Sequence, residues 1–205
     1  MGHSEQVQDD YNRRAIEYIE ALGSVEQMAT PDRELISEWR DSCSGPLLDA
    51  GCGPGHWTEL LSQDGRDVLG VDLSEEFIGH ARAAYPDVNF ERGDFRRLPL
   101  QSHSLGGILA WYSLIHTEPS AVPQILEEFA RVLRPGGSAL LGFFGGTDGE
   151  EFDHAVSRAY FWSLEGMSNA LKAAGFKVVE SHQRTVPGSR PHAAVIARRP
   201  GFSTP

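Results

Sequence analysis

Leu47-Leu48-Asp49-Ala50-Gly51-Cys52-Gly53-Pro54-Gly55 is an apolar run that breaks into glycines, and His56–Gln63 then resumes a helix-like pattern. The stretch reads as a strand, a tight turn and a helix. Glycine at such a turn lets the backbone approach a ligand closely. Asp72 closes the next apolar run, 21 residues after Gly51, where an acidic side chain can accept from both hydroxyls of a ribose. Loop and acid together point to an adenosine-bearing ligand.

Working outward, short apolar runs alternate with helix-like segments, the pattern of βαβ units on a mostly parallel sheet. The strands are expected at Leu47–Ala50, Asp67–Val71, Val88–Arg92, Leu105–Trp111, Ser138–Phe144, Lys177–Gln183 and His192–Ala197. The last two follow one another without a helix between them, which implies a terminal antiparallel hairpin. Ser74 with Glu75 and Glu76 suits a helix N-terminus. Val122, Ile125, Leu126, Phe129, Val132 and Leu133 keep helical spacing until Pro135-Gly136-Gly137. Ser163 to Gly175 gives one more capped helix. Two helices should precede the first strand, over roughly residues 4–22 and from Pro31-Asp32 to Gly45-Pro46. The chain is read as one domain over 1–205: a helical lid to residue 44, a cofactor-binding core over 45–145, and a substrate-side loop with the hairpin over 146–205.

A dinucleotide-binding loop would place its third glycine at position 56, where His56 stands. Asp49, two residues ahead of Gly51, would repel a pyrophosphate yet suit a ligand that is cationic at its centre.

The chain resembles the class I S-adenosylmethionine-dependent methyltransferases over about residues 45–145. The resemblance rests on four ordered motifs: the loop from Leu48 to Gly55; Gly70-Val71-Asp72-Leu73-Ser74; Gly93-Asp94-Phe95 with Leu98-Pro99; and Leu133-Arg134-Pro135-Gly136-Gly137. It implies a Rossmann-like, doubly wound α/β fold with a seven-stranded, mostly parallel sheet, and S-adenosylmethionine as cofactor without a metal. It further implies that Asp72 binds ribose, that Gly51 and Gly53 pass the methionine portion, and that Asp94 accepts from the adenine amine. Leu73 and Phe95 would then sandwich the base. Tyr11 and Tyr18, seven residues apart on one helical face, would lie on an N-terminal lid over the cofactor.

Ala110-Trp111-Tyr112-Ser113-Leu114-Ile115-His116 ends the fourth strand and should border the transferred methyl group, with Trp111 counted among the cofactor contacts. His116 is the candidate general base; its alternative role is to cap or orient the helix starting near Ser120. Base-modifying relatives carry prolines or a Pro-Cys pair here, and Ala110–Ser113 has neither. The connection from Phe144 to Ser163 is long enough for a lid, with Arg158 available to an anionic group.

The 205 residues hold 18 Lys and Arg against 29 Asp and Glu, a formal charge of −11, which disfavours a phosphate-neutralising face for nucleic acid. A small-molecule acceptor is expected, on a monomer or homodimer. No run approaches the roughly 20 apolar residues of a membrane span, and no basic-then-apolar leader opens the chain, so a cytoplasmic location is expected. Cys43 and Cys52 suit reduced thiols, and the eight histidines include no HxxxH pair, so no metal is expected. A nicotinamide-dependent oxidoreductase and a non-catalytic cofactor-binding regulator are the alternatives.

Overall fold

The computed structural model describes Ile19 and residues 24–154 and 157–201. The helix expected over 4–22, with Tyr11 and Tyr18, lies outside the described residues except for Ile19.

Seven strands form the main sheet: β1 (Leu47–Ala50), β2 (Val68–Asp72), β3 (Asn89–Arg92), β4 (Leu105–Trp111), β5 (Leu133–Phe144), β8 (Lys177–Arg184) and β9 (His192–Arg198). Two short ones, β6 (Glu151–Asp153) and β7 (Arg158–Tyr160), make a separate hairpin. The order across the main sheet is β3-β2-β1-β4-β5-β9-β8. The first five strands run parallel, and β9 lies antiparallel between β5 and β8. This is the doubly wound sheet with a terminal antiparallel hairpin that the sequence implies.

Among the described residues, five α-helices flank it: α1 (Thr30–Ser42), α2 (His56–Ser62), α3 (Glu75–Ala84), α4 (Val122–Val132) and α5 (Leu164–Ala173). Side chains of a strand alternate between faces. Along β4, Ile108 and Ala110 join the core under α4 and α5, whereas Leu109 and Trp111 join the core under α1 and α2. Trp39 of α1 donates its indole N–H to Ser138 on β5 at 3.0 Å, and Arg184 of β8 grips Asp32 of α1 through two bonds of 2.8 and 3.1 Å. The α1 face is thereby closed over β5, β9 and β8.

The helix boundaries follow the punctuation in the chain. Ser74 accepts from the Phe77 N–H and Ser163 from the Gly166 N–H, each satisfying a donor that a helix start leaves open. Two expectations change. The helix placed near Ser120 begins at Val122, after a short 3₁₀ turn over Pro119–Ala121. The connection after Phe144 is not an open loop: Glu151, Phe152 and Asp153 pair with Tyr160, Ala159 and Arg158. Aromatic contact supplied what no alternating pattern announced, since Phe152 lies on Phe161 at 4.2 Å and on Phe144 at 5.5 Å.

Candidate active site

The glycine loop sits where β1 and β2 end side by side, with Asp49 opposite Gly70 and Ala50 opposite Val71. The Val71 carbonyl accepts from both Gly51 N–H (2.8 Å) and Cys52 N–H (3.1 Å), which turns the chain sharply out of β1. Gly51, Gly53 and Gly55 all have positive φ, at 81, 52 and 93°, a region that side-chain-bearing residues enter at a cost. Cys52 is buried between them, and burial pushes its thiol well above the ordinary value, so it is inert packing rather than a nucleophile.

Two carboxylates frame this turn. Asp49 is only 1% exposed, and it accepts from the Thr58 hydroxyl of α2 at 2.7 Å. Burial raises its carboxyl to about 7, with Thr58 opposing and Asp72 adding to the rise. Asp72, at the end of β2, accepts from Gly53 N–H at 3.0 Å and Ser74 N–H at 2.8 Å. Burial raises its carboxyl too, opposed by these amides. Asp72 therefore holds the loop in shape while keeping lone pairs for a ligand.

The space beside the loop is asymmetric. A Cβ on Gly51 would meet the Ser113 Cβ at 2.3 Å, with the Phe95 ring 3.5 Å away; a Cβ on Gly53 would meet nothing within 4 Å. The Ser113 hydroxyl is buried there without a hydrogen-bond partner among the described residues. An acid short of partners, an orphaned hydroxyl and an open cradle over Gly53 fit a close-lying ligand with a cationic group.

Leu73 and Phe95 are both partly buried near these strand ends, and Phe95 also packs on Phe129 at 6.2 Å. Asp94 is more committed than its sequence context suggests. Its two oxygens accept from Arg96 Nε at 2.8 Å each, and the Arg96 backbone N–H closes a turn at 2.9 Å. The Arg96 side chain holds the Asp94 carboxyl below its ordinary value against the effect of burial. Trp111 lies edge-on to Trp57 at 6.3 Å, on the sheet face that carries Asp49. His56 is buried, and neither ring nitrogen finds a partner among the described residues; burial lowers it to about 4, so it stays neutral.

His116 is buried behind the site. Its Nδ1–H donates to the Arg158 carbonyl of β7 at 2.7 Å, and His154 meets its ring edge-on at 5.1 Å. Burial, His116 and Arg190 lower His154 to about 4. His116 thus fastens the β6–β7 hairpin to the end of β4, a part that sequence reading of a base did not foresee. His116→Phe is expected to lose about 1–3 kcal/mol in denaturant unfolding while ligand affinity at the glycine loop holds.

The sequence assigns no role to Thr58 or His192, and it places Tyr112 only within the stretch expected to border the methyl group. Thr58 reaches Asp49 only because α2 folds back on β1. Tyr112 takes a left-handed backbone, φ 56°, and its hydroxyl bonds the Nδ1 of His192, 80 residues on. Only the strained backbone could have been suspected, and nothing local announces it.

Residues 47–137 match a family profile described as a methyltransferase domain. Over that segment the chain resembles the class I S-adenosylmethionine-dependent methyltransferases. Among curated relatives, the chain is 32% identical over 135 residues to a malonyl acyl-carrier-protein O-methyltransferase of Pectobacterium atrosepticum, covering 63% of this chain and 53% of that one. It is 38% identical over 71 residues to a trans-aconitate 2-methyltransferase of Rhizobium meliloti, covering 34% and 28%. The matches span between 29% and 53% of the length of the first three curated relatives. The magnesium protoporphyrin IX methyltransferase of Synechocystis PCC 6803 shares the fold with a TM-score of 0.77 at 17% identity, over 97% of this chain and 98% of that one. The cyclase SpnF shares it at 0.80 and 20%, over 97% of both chains. Among the described residues, no helix is long and apolar enough to cross a membrane, and no three His, Cys, Asp or Glu side chains gather as a metal site.

Proposed function

We propose that this chain transfers the methyl group of S-adenosylmethionine to a small-molecule acceptor. The observation that carries the reading is the buried Asp49 carboxylate beside the half-buried Asp72 carboxylate, at adjoining strand ends around a loop whose Gly53 leaves an open cradle. A nicotinamide dinucleotide would bring its pyrophosphate against Asp49, whereas a cationic amine and sulfonium gain there. Asp72 takes the ribose hydroxyls with the lone pairs that Gly53 and Ser74 leave. Gly51 and Gly53 pass the methionine portion, Leu73 and Phe95 flank the adenine, Asp94 accepts its amine while Arg96 braces the carboxylate, and Trp111 borders the methyl side.

Bound there, the cofactor supplies an electrophilic methyl carbon. The protein's share is to hold an acceptor in line with it, within roughly 3–3.5 Å, and to exclude water. His116 serves as the anchor of the hairpin beside the acceptor rather than as the base. The net charge of −11 favours a small acceptor over nucleic acid, and the reading includes a cytoplasmic monomer or homodimer. Isothermal calorimetry tests it: S-adenosylhomocysteine should bind in the micromolar range and NAD give no heat. The reverse pattern would return the loop to dinucleotide binding, and binding without any methyl transfer would leave a regulator.

A further inference from the structure

Resting on the methyl-transfer reading, we propose that the cavity between α1 and the ends of β4 and β8 takes a neutral, planar aromatic hydroxyl compound, whose proton is relayed through Tyr112 to His192. The cavity measures about 220 Å³, a volume suited to one or two rings. Trp111 forms one wall, and Pro31, Leu35 and Ala193 supply apolar surface. Trp111 and Tyr112 line the cavity, and the next residue, Ser113, lies against Gly51, so one segment borders both the cavity and the glycine loop.

The Tyr112 backbone is the strongest sign of purpose. A left-handed conformation is a genuine outlier for a bulky residue, and it persists only where surrounding contacts enforce it. Here the Tyr112 N–H still donates to the Gly142 carbonyl at 2.9 Å, and Phe144 packs against its ring at 4.8 Å. The phenol meets His192 at this turn, and both residues line the cavity. Burial raises the Tyr112 hydroxyl, with Asp32 adding and Arg184 opposing. Burial lowers His192, with Arg184 adding and Asp32 opposing. Tyr112 is therefore a protonated donor to a neutral imidazole.

The relay balances. As the acceptor oxygen bonds the methyl carbon, the carbon–sulfur bond breaks and its electron pair stays on the departing thioether. The acceptor's hydroxyl proton passes to Tyr112 Oη, and the Tyr112 proton passes to His192 Nδ1. One positive charge leaves sulfur and one appears on imidazole, close to the Asp32 carboxylate.

The charge of the walls selects the class. Arg184 lines the cavity, but its fork is held by Asp32 through two bonds. His182 is paired with Glu180 at 2.9 Å. A carboxylate acceptor would lose its water without gaining an uncommitted cation among the described residues, which is costly. A neutral phenol loses little and gains Tyr112.

The probes are 2-naphthol and its carboxylate counterpart 2-naphthoate, titrated into the full chain by tryptophan fluorescence and then assayed for methyl transfer. The expected result is 2-naphthol binding at least tenfold tighter than 2-naphthoate, and methylated. Tyr112→Phe should cut kcat on the order of 10²-fold, with 2-naphthol affinity within about tenfold and S-adenosylhomocysteine affinity unchanged. His192→Gln should act in the same direction. Equal binding of the two probes, no methylation of 2-naphthol while S-adenosylhomocysteine binds, or a Tyr112→Phe enzyme with wild-type kcat overturns the relay alone. Absence of S-adenosylhomocysteine binding overturns the underlying reading as well.

Discussion

Asp49→Asn is expected to weaken S-adenosylmethionine binding on the order of 10²-fold and to flatten its pH dependence. Opposite charges 4 Å apart are worth about 4 kcal/mol at the effective dielectric of a protein site, and replacing the acid by an amide forfeits most of that. The pH dependence follows from the raised carboxyl. The empty folded protein keeps the Asp49 proton up to about 7, whereas the ordinary value is 3.8. The folded state thus binds more protons across this window, and stability falls as pH rises from about 4 to about 7, by at most about 4 kcal/mol. A cationic ligand reverses the preference, because it needs the ionised acid. Wild-type affinity should therefore improve about tenfold per unit from pH 5.5 to nearly 7 and then level off. The Asn variant should bind weakly at every pH in that range and resist denaturant better than wild type at pH 8. Calorimetry and urea unfolding across the range check both, and a flat wild-type affinity would remove Asp49 from the site.

Alanine at Gly51 and at Gly53 should give opposite signatures. At Gly51 the new methyl would lie 2.3 Å from Ser113 Cβ with φ at 81°, combining overpacking of about 1–3 kcal/mol with left-handed strain of about 1–2 kcal/mol. The expected outcome is a loss of roughly 2–5 kcal/mol in unfolding and displacement of β1 from the loop after β4. At Gly53 no described atom lies within 4 Å of the new methyl, so only the strain remains and the fold should survive. The methyl would enter the cradle itself, and S-adenosylhomocysteine affinity should fall at least tenfold. Wild-type affinity in Gly53→Ala would place the ligand elsewhere.

The cradle was legible because its parts are local or periodic. The Gly51–Gly55 turn, Asp49 two residues upstream and Asp72 at the next strand end are all fixed by short spacing, and parallel strands bring their carboxyl ends together without further instruction. The same holds for the terminal hairpin, where β8 and β9 follow each other directly. Other features lacked such a signal. The β6–β7 hairpin is three residues long on each side, too short for alternation to register. Arg134–Gly137 bulge out where the β4–β5 register jumps from Leu105–Leu133 to Gly107–Ser138, so β5 begins before the glycines that suggested a break. Asp94 was read for a ligand, yet Arg96 engages both its oxygens.

The sequence by itself determined the glycine turn, the two acids around it and the sheet that carries them, because backbone stereochemistry and hydrophobic period act over a few residues. Only the tertiary structure decided that Thr58 closes on Asp49, that Asp32 neutralises Arg184, and that Tyr112 turns onto His192. Those pairings join residues 9, 152 and 80 positions apart, and they depend on packing of α1 and α2 and on the antiparallel return of β9. The glycine loop sets the cradle between the ends of β1 and β2, and the long-range contacts fix what stands beside it.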